Sequence, residues 1–500
     1  IVGVSIAAAV TATNGVLGFA GGGAGSGNTI RGATLAVAKD ATITGADDLA
    51  VTATSDARIT SVVMGLAVAV AAGSGFGAGV AIGVAVADNA TRGVDYASSV
   101  AVKDVFDAAP GFITAALVQD TATDITGALS VHATSNQTIT ATVIAASVAV
   151  AATGGFGLSV AGAGAIAVNR GEARVLAEVK GATAADHLRA GSVDVQALNL
   201  AKITSGIGSA AVAVSVAGGS AVAVSVAVGI SNNRIDAQTT ARVTGFDEDG
   251  AVNVPGQMRV AALTDDPSSD KRLEIVAVSV AASVAVGASG ATGAGIAGAG
   301  ADARNTITGH TVAEVSDING TIGNLDIRAI NSSLIRAVVV AVGAGIGASG
   351  GGGAGAAAVG ASVVSNRVGT ADNRFAITAA LRDVSLTVTG DTRLEAKNTA
   401  EIFGNANAVS AAVAVSSDVA LSAAGAGADV RNRVYSTTKA EISRSADTGQ
   451  FLDTATLTAL ATEDADADAI AVGAAVAAAV GGYGFGGAIS IGVALARNEM

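Results

Sequence analysis

Five hundred residues carry 66 Gly, no Cys and no Trp, and 50% of the chain is hydrophobic while only 3% is aromatic. The apolar mass is therefore Ala and Val, too small to fill a thick globular core at native density but suited to closely stacked sheets or closely packed helices. A formal net charge of −13 argues against a nucleic-acid partner. The missing cysteine excludes disulfides and thiolate metal sites and suits an exported protein.

Eight asparagines mark the chain: Asn28, Asn89, Asn169, Asn233, Asn305, Asn366, Asn432 and Asn498, at spacings of 61, 80, 64, 72, 61, 66 and 66 residues. Each closes a nearly uncharged Ala/Val/Gly run and opens a polar stretch. A recurring interval denotes an array of one unit. We expect a single repeat array over 1–500, with units near 1–28, 29–89, 90–169, 170–233, 234–305, 306–366, 367–432 and 433–498. The opening inside an apolar run, without basic n-region or cleavage site, reads as an internal fragment of a larger exported protein.

Within a unit three elements follow in order. Eight residues past the asparagine comes Ala-x-Val, as at Ala177 to Val179, Ala241 to Val243 and Ala313 to Val315; the Asn366 unit needs a short insertion before Ala379. Next comes a strict alternation, Leu-x-Val-x-Ala, as at Leu129, Val131 and Ala133 or Leu325, Ile327 and Ala329, usually followed by Ser or Asn. Period two with one apolar face predicts a half-buried strand. Last comes a dry pair of arms. Ile203 to Asn233 holds no charge, and two Ala/Val/Ser arms flank Gly218-Gly219-Ser220. That pattern predicts a β-hairpin. With both faces largely apolar, both are expected to be covered, and the small faces should let sheets lie nearer than about 10 Å.

The expected fold is all-β: an elongated repeat array, a β-solenoid or stacked β-hairpin layers, with Gly-rich turns. In-register stacking would align the asparagines as a hydrogen-bonded ladder; the alternative is an asparagine tolerating a left-handed turn. Pro110, Pro255 and Pro267 lie in the two longest units, and loops over 107–112, 245–257 and 264–272 are expected to leave the sheet.

Other constellations favour structural roles. Gly345, Gly347 and Gly350 satisfy Gly-x-Gly-x-x-Gly, with Asp372 beyond, but no helix pattern follows, so turn glycines are the better reading. His132, His187 and His310 fall at unrelated phases, against zinc or a catalytic triad. Acidic clusters at 247–249, 265–266 and 463–468 read as solvated loops, with calcium as the alternative; no other cofactor is expected. Phe19, Phe76, Phe156, Tyr483 and Phe485 gather at the glycine turns, where they would plug space or stack against glycan. Runs such as 59–87 are long enough to cross a bilayer, but their period of two and glycine density disfavour helices, and the aromatic girdles of a barrel are missing.

The dry pair, its glycine turn, the terminal asparagine, Ala-x-Val and Leu-x-Val-x-Ala together resemble the repeats of giant exported bacterial proteins of the filamentous-adhesin and leukotoxin-like families. The resemblance covers nearly the whole chain. It implies a β-solenoid at the cell surface or outside the cell, a structural repeat segment of a fibre, stalk or sheath acting as rigid spacer or adhesin shaft. No functional residues carry over, and no enzyme is expected. The partners implied are further repeats or another copy, with glycan or a host surface beyond. The alternative is a pore-forming or cytolytic protein whose apolar arms enter membranes.

Overall fold

The computed structural model describes residues 1–14, 16–93, 111–444 and 451–500. Among them the chain is all-β, with 28 strands and no helix. Ladders between strands are parallel and in register, as between Val148, Val212 and Val284. Among the described residues the isolated bridge Asp265–Arg272 is antiparallel.

The fourth of eight coils shows the path. Lys202–Ala217 runs out as a first arm, Gly218 and Gly219 reverse it, and Ser220–Phe246 returns as a second arm. The chain then bends at Gly245, and Val252–Leu263 closes the coil before Glu274 opens the next. First arms number the coils from one to eight: Val2–Thr13, Arg58–Gly73, Thr138–Thr153, Lys202–Ala217, Glu274–Ser289, Leu334–Ser349, Glu401–Ser416 and Asp466–Gly481. They form one sheet in chain order, and the remaining strands form a second. The coil and the asparagine-to-asparagine unit differ only in phase.

The two dry arms therefore do not form the expected hairpin. Each pairs with its own counterpart in the coils above and below, and none pairs with its partner across the turn. A Gly-Gly reversal is compatible with either geometry. What differs is where the backbone N–H and C=O groups point, and here they point along the stacking axis. Turns stack likewise: the Gly218 N–H donates to Thr153 O at 3.0 Å, and a Cβ on Gly218 would lie 2.4 Å from Gly154 O.

Between the arms the interior is made of small residues. Ser209, Ala211, Ala213 and Ser215 face Ala221, Ala223, Ser225 and Ala227, all buried. Contrary to expectation, the branched faces are uncovered: Val212, Val214, Val222 and Val224 point outward, Val216 is 50% exposed and Val226 47%. Sheet separation is the cause. A Cβ on Gly65 would lie 2.1 Å from Val84 O, and one on Gly287 2.0 Å from Ala294 O. Toward the turns valine does not fit a gap set by glycine and alanine, so it turns out; inward valines such as Val63 and Val143 lie next to the asparagines.

Beyond the asparagines the coil widens. Ile203, Ile275 and Ile335 of the first arms meet Ile235 and Ile307 of the second, with Val195, Val260, Ile327 and Leu394 from the third side and Phe246 and Phe375 filling the corners. Each coil is thus a thin slab joined to a thicker body. Aspartates in the left-handed region, Asp40, Asp120, Asp317 and Asp383, with Gly245, make the body's corner after Ala-x-Val; aspartate tolerates that conformation by bonding locally.

Pro255 corrects another expectation. It lies within the strand Val252–Leu263, at a register shift between Val254 and Gln257, so most of 245–257 is bend and strand rather than loop. A bulge frees the position from donating an N–H. Pro267 does lie in a turn, where Asp266 accepts the Ser268 N–H at 2.9 Å. Pro110 and positions 107–110 lie outside the described residues.

Candidate functional site

The asparagines form one hydrogen-bonded chain through all eight coils. Each Nδ2 donates to the next Oδ1, at 2.9, 2.8, 2.8, 2.8, 2.8, 3.0 and 3.1 Å from Asn28 to Asn498. Parallel in-register strands repeat every ~4.8 Å, a spacing that one primary amide spans with a single hydrogen bond to the next. Asn89 through Asn432 are fully buried.

The ladder marks the step between slab and body. Two residues later the inward position becomes Ile235, Ile307, Val368 or Val434. Opposite it the first arms present Gly3, Ser61, Ala141, Ser205 and Gly404, small enough to leave the amides room. A Cβ on Gly404 would lie 2.8 Å from Asn432 Oδ1. The second amide hydrogen is used as well: Asn233 Nδ2 donates to Ser231 Oγ at 2.9 Å, and Asn366 Nδ2 reaches Phe403 O of the opposite sheet at 3.3 Å. A neutral amide chain, buried over most of its length, orders the stack and offers no nucleophile or acid.

A second, shorter ladder follows the third strand. Asn331 Nδ2 donates to Asn398 Oδ1 at 2.8 Å, Asn398 Nδ2 donates to Glu463, and Thr264 Oγ1 donates to Asn331 Oδ1 at 3.1 Å. Its signal was the polar residue that closes Leu-x-Val-x-Ala. The body's surface carries ion pairs that run from coil to coil. Buried Glu178 accepts from Arg242 and Gln119, and Arg382 bridges Glu314 at 2.8 Å and Glu441 at 2.9 Å. Lys439 and Arg382 hold the Glu441 carboxyl below its ordinary range. Burial pushes the Asp236 and Asp302 carboxyls up, against nearby arginines.

The histidines remain apart. His132 Nε2 lies 3.1 Å from Asp194 Oδ2, His187 is half-buried, and burial, with Arg174 nearby, pulls His310 down. Among the described residues no three His, Asp or Glu side chains gather as metal ligands. Gly345 and Gly347 face inward, where a Cβ would lie 2.3 Å from Ala357 O and 2.1 Å from Gly355 O, so they hold the sheets close. Of the turn aromatics, Phe76 and Phe156 stack on each other with centroids 5.6 Å apart and planes at 7°, while Phe19, Tyr483 and Phe485 are exposed.

The chain matches no known protein family, no curated protein and no solved structure. Among the described residues no helix is long and apolar enough to cross a membrane, which leaves strands unaddressed.

Proposed function

We propose that the chain is a structural segment of a bacterial surface fibre, stalk or sheath, working as a stiff shaft outside the cell rather than as an enzyme. The observation that carries this reading is the unbroken register: the asparagine amides connect all eight coils, so bending the stack anywhere stretches several parallel ladders and an amide bond together. Each coil advances about 4.8 Å, while a 16-residue arm is about 53 Å long. The object is a broad ribbon that gains width and rigidity rather than reach, which suits a shaft or sheath wall better than a thin tether.

Electron microscopy of the purified segment tests this. Flat, uniform ribbons or plates with a ~4.8 Å repeat along the stack are expected; irregular or flexible particles would overturn it. Protease shaving of intact cells tests the location, with loss of the segment expected.

The uncovered valine faces favour one second reading, insertion of the slab into a bilayer. Dye leakage from liposomes on adding the segment would support it, and intact liposomes would count against it.

A further inference from the structure

The outer face of the second-arm sheet carries a relief that nothing inside the molecule explains. At one outward position the even coils present Ile82, Val226, Val359 and Ile491, and the odd coils present Gly21, Gly162, Gly298 and Gly425, the last three each in register between two larger neighbours and Gly21 beside Ile82. Two residues on, Gly23, Gly164, Gly300 and Gly427 alternate with Val84, Val228, Ala361 and Val493 in the same way. Ridges therefore recur every second strand, about 9.6 Å apart, with side-chain-free troughs between them.

These glycines differ from the inward ones. A Cβ on Gly23, Gly164, Gly300 or Gly427 would meet no atom within 4 Å, and on Gly162 or Gly298 it would meet only the neighbouring ridge, at 3.9 and 4.0 Å. None adopts a left-handed backbone. Glycine weakens a strand interior, and there it often marks the close approach of another backbone or ligand. The ridges are open to solvent: Ile82 is 52% exposed, Val359 56% and Ile491 61%. Toward the turns the same face holds an apolar hollow of about 600 Å³ between Ile296, Leu421, Phe485 and Ile489, floored by Ala357 and Ala423.

We propose that this face packs against the same face of a second copy across a two-fold axis along the strands, so that coil one faces coil eight, odd coils face even ones and ridges enter troughs. Ridge and trough have equal width, so the face is complementary to itself, as an isologous contact requires. Eight strands and about ten residues of uncharged arm offer about 1,200 Å² per copy, above the ~800 Å² per partner of a standard stable interface. The first-arm sheet lacks this alternation: Val68, Val148, Val212 and Val284 are followed by Ala344 and Ala411, and the outward glycines Gly206 and Gly208 both fall in the fourth coil. The inference deepens the shaft reading and rests on it, since lateral pairing is how ribbons would thicken into a fibre or wall.

The test compares the 500-residue chain with a double variant, Gly162→Val with Gly298→Val, by analytical ultracentrifugation over a range of concentrations. Filling the troughs adds apolar area and β-propensity, so the fold should persist, checked by circular dichroism. Pairing should weaken at least tenfold. Because the chain has no cysteine, Val226→Cys supplies a single thiol, which should form an interchain disulfide on mild oxidation when copies pair on this face. A wild-type chain that stays single at all concentrations would overturn the proposal. So would a trough-filled variant that associates as well as wild type, or a wild-type chain that leaves its partner for phosphatidylcholine–phosphatidylglycerol vesicles. Binding driven by apolar area alone gives the opposite sign, since filled troughs would then bind more tightly. Ribbons seen at dilutions where mass shows single chains would leave the shaft reading standing and remove only the pairing.

Discussion

Slab and body are made by the same strands, yet they invert one another. Along Ser220–Phe246 the slab half turns Ala221, Ala223 and Ser225 inward and Val222 and Val224 outward, whereas the body half buries Ile235 and Val243 and exposes Arg234. Side-chain hydrophobicity does not decide which way a residue faces here. Separation does. Where the sheets are held apart by a third side, large apolar residues fill the gap; where they close directly on each other the inward residues are mostly Gly, Ala and Ser, with Val63, Val143, Ile207 and Val339 buried only next to the asparagines. The buried amide ladder lies where one regime hands over to the other.

The largest effect is expected at the slab's inward glycines. Gly287→Val drives a side chain into the Ala294 carbonyl. It should cost about 3 kcal/mol or more, read as a fall in the denaturation midpoint, because the opposing sheet cannot retreat in one coil alone. In the body, Ile335→Ala should cost a comparable 2–5 kcal/mol for the opposite reason, a cavity, measured the same way. A tolerated Gly287→Val would mean the sheets are not held close.

At the junction, Asn233→Ala removes one rung and leaves the Asn169 donor and the Asn305 acceptor buried without their partner. A loss of about 2–4 kcal/mol is expected in urea melts. Asn498→Ala, with an exposed side chain, should cost less.

On the outer face of the second-arm strands, pH sharpens the contrast. Burial raises the Asp236 and Asp302 carboxyls above their unfolded values. The folded chain then binds the extra protons, so this contribution grows as pH falls through the raised folded pKa values and is lost as pH rises through them. Glu441, lowered by Lys439 and Arg382, acts the other way: its stabilisation is present above the unfolded pKa and lost as pH falls through the folded one. His310, lowered by burial, must charge as pH falls below its unfolded value and opposes this gain; in a His310→Gln background, thermal melts across pH should show stability rising gently from neutral into mild acid and then falling. Asp236→Asn should flatten the rising limb; an unchanged limb would remove Asp236 from this account.

The smallest effect belongs to the slab's outer face. Val214→Thr, on the first-arm side, should shift stability by less than about 0.5 kcal/mol in the single chain. A large loss there would mean the face is covered after all.

Much of this organisation was legible. The asparagine interval, the alternation in Leu-x-Val-x-Ala and the charge-free arms each report a local period, and local periods survive into the fold. The amide ladder was readable because identical residues at a fixed phase must align once units stack. Other features were hidden for a common reason. Gly218-Gly219 announces a reversal but not the direction of the hydrogen bonds on either side. The alternating glycines of the outer face only become ridges and troughs when Gly162 stands between Ile82 and Val226. Pro255 looked incompatible with a strand until a bulge accommodated it.

By itself the amino-acid sequence determined that this protein is an all-β array of one repeated unit with a dry part, a wet part and an asparagine between them. Those are properties of residue type and spacing along one chain. Only the tertiary structure decided that each arm pairs with its copy in the next coil and that alanine rather than valine faces in. Both depend on the distance between two sheets, which is set jointly by all eight coils and by no segment alone.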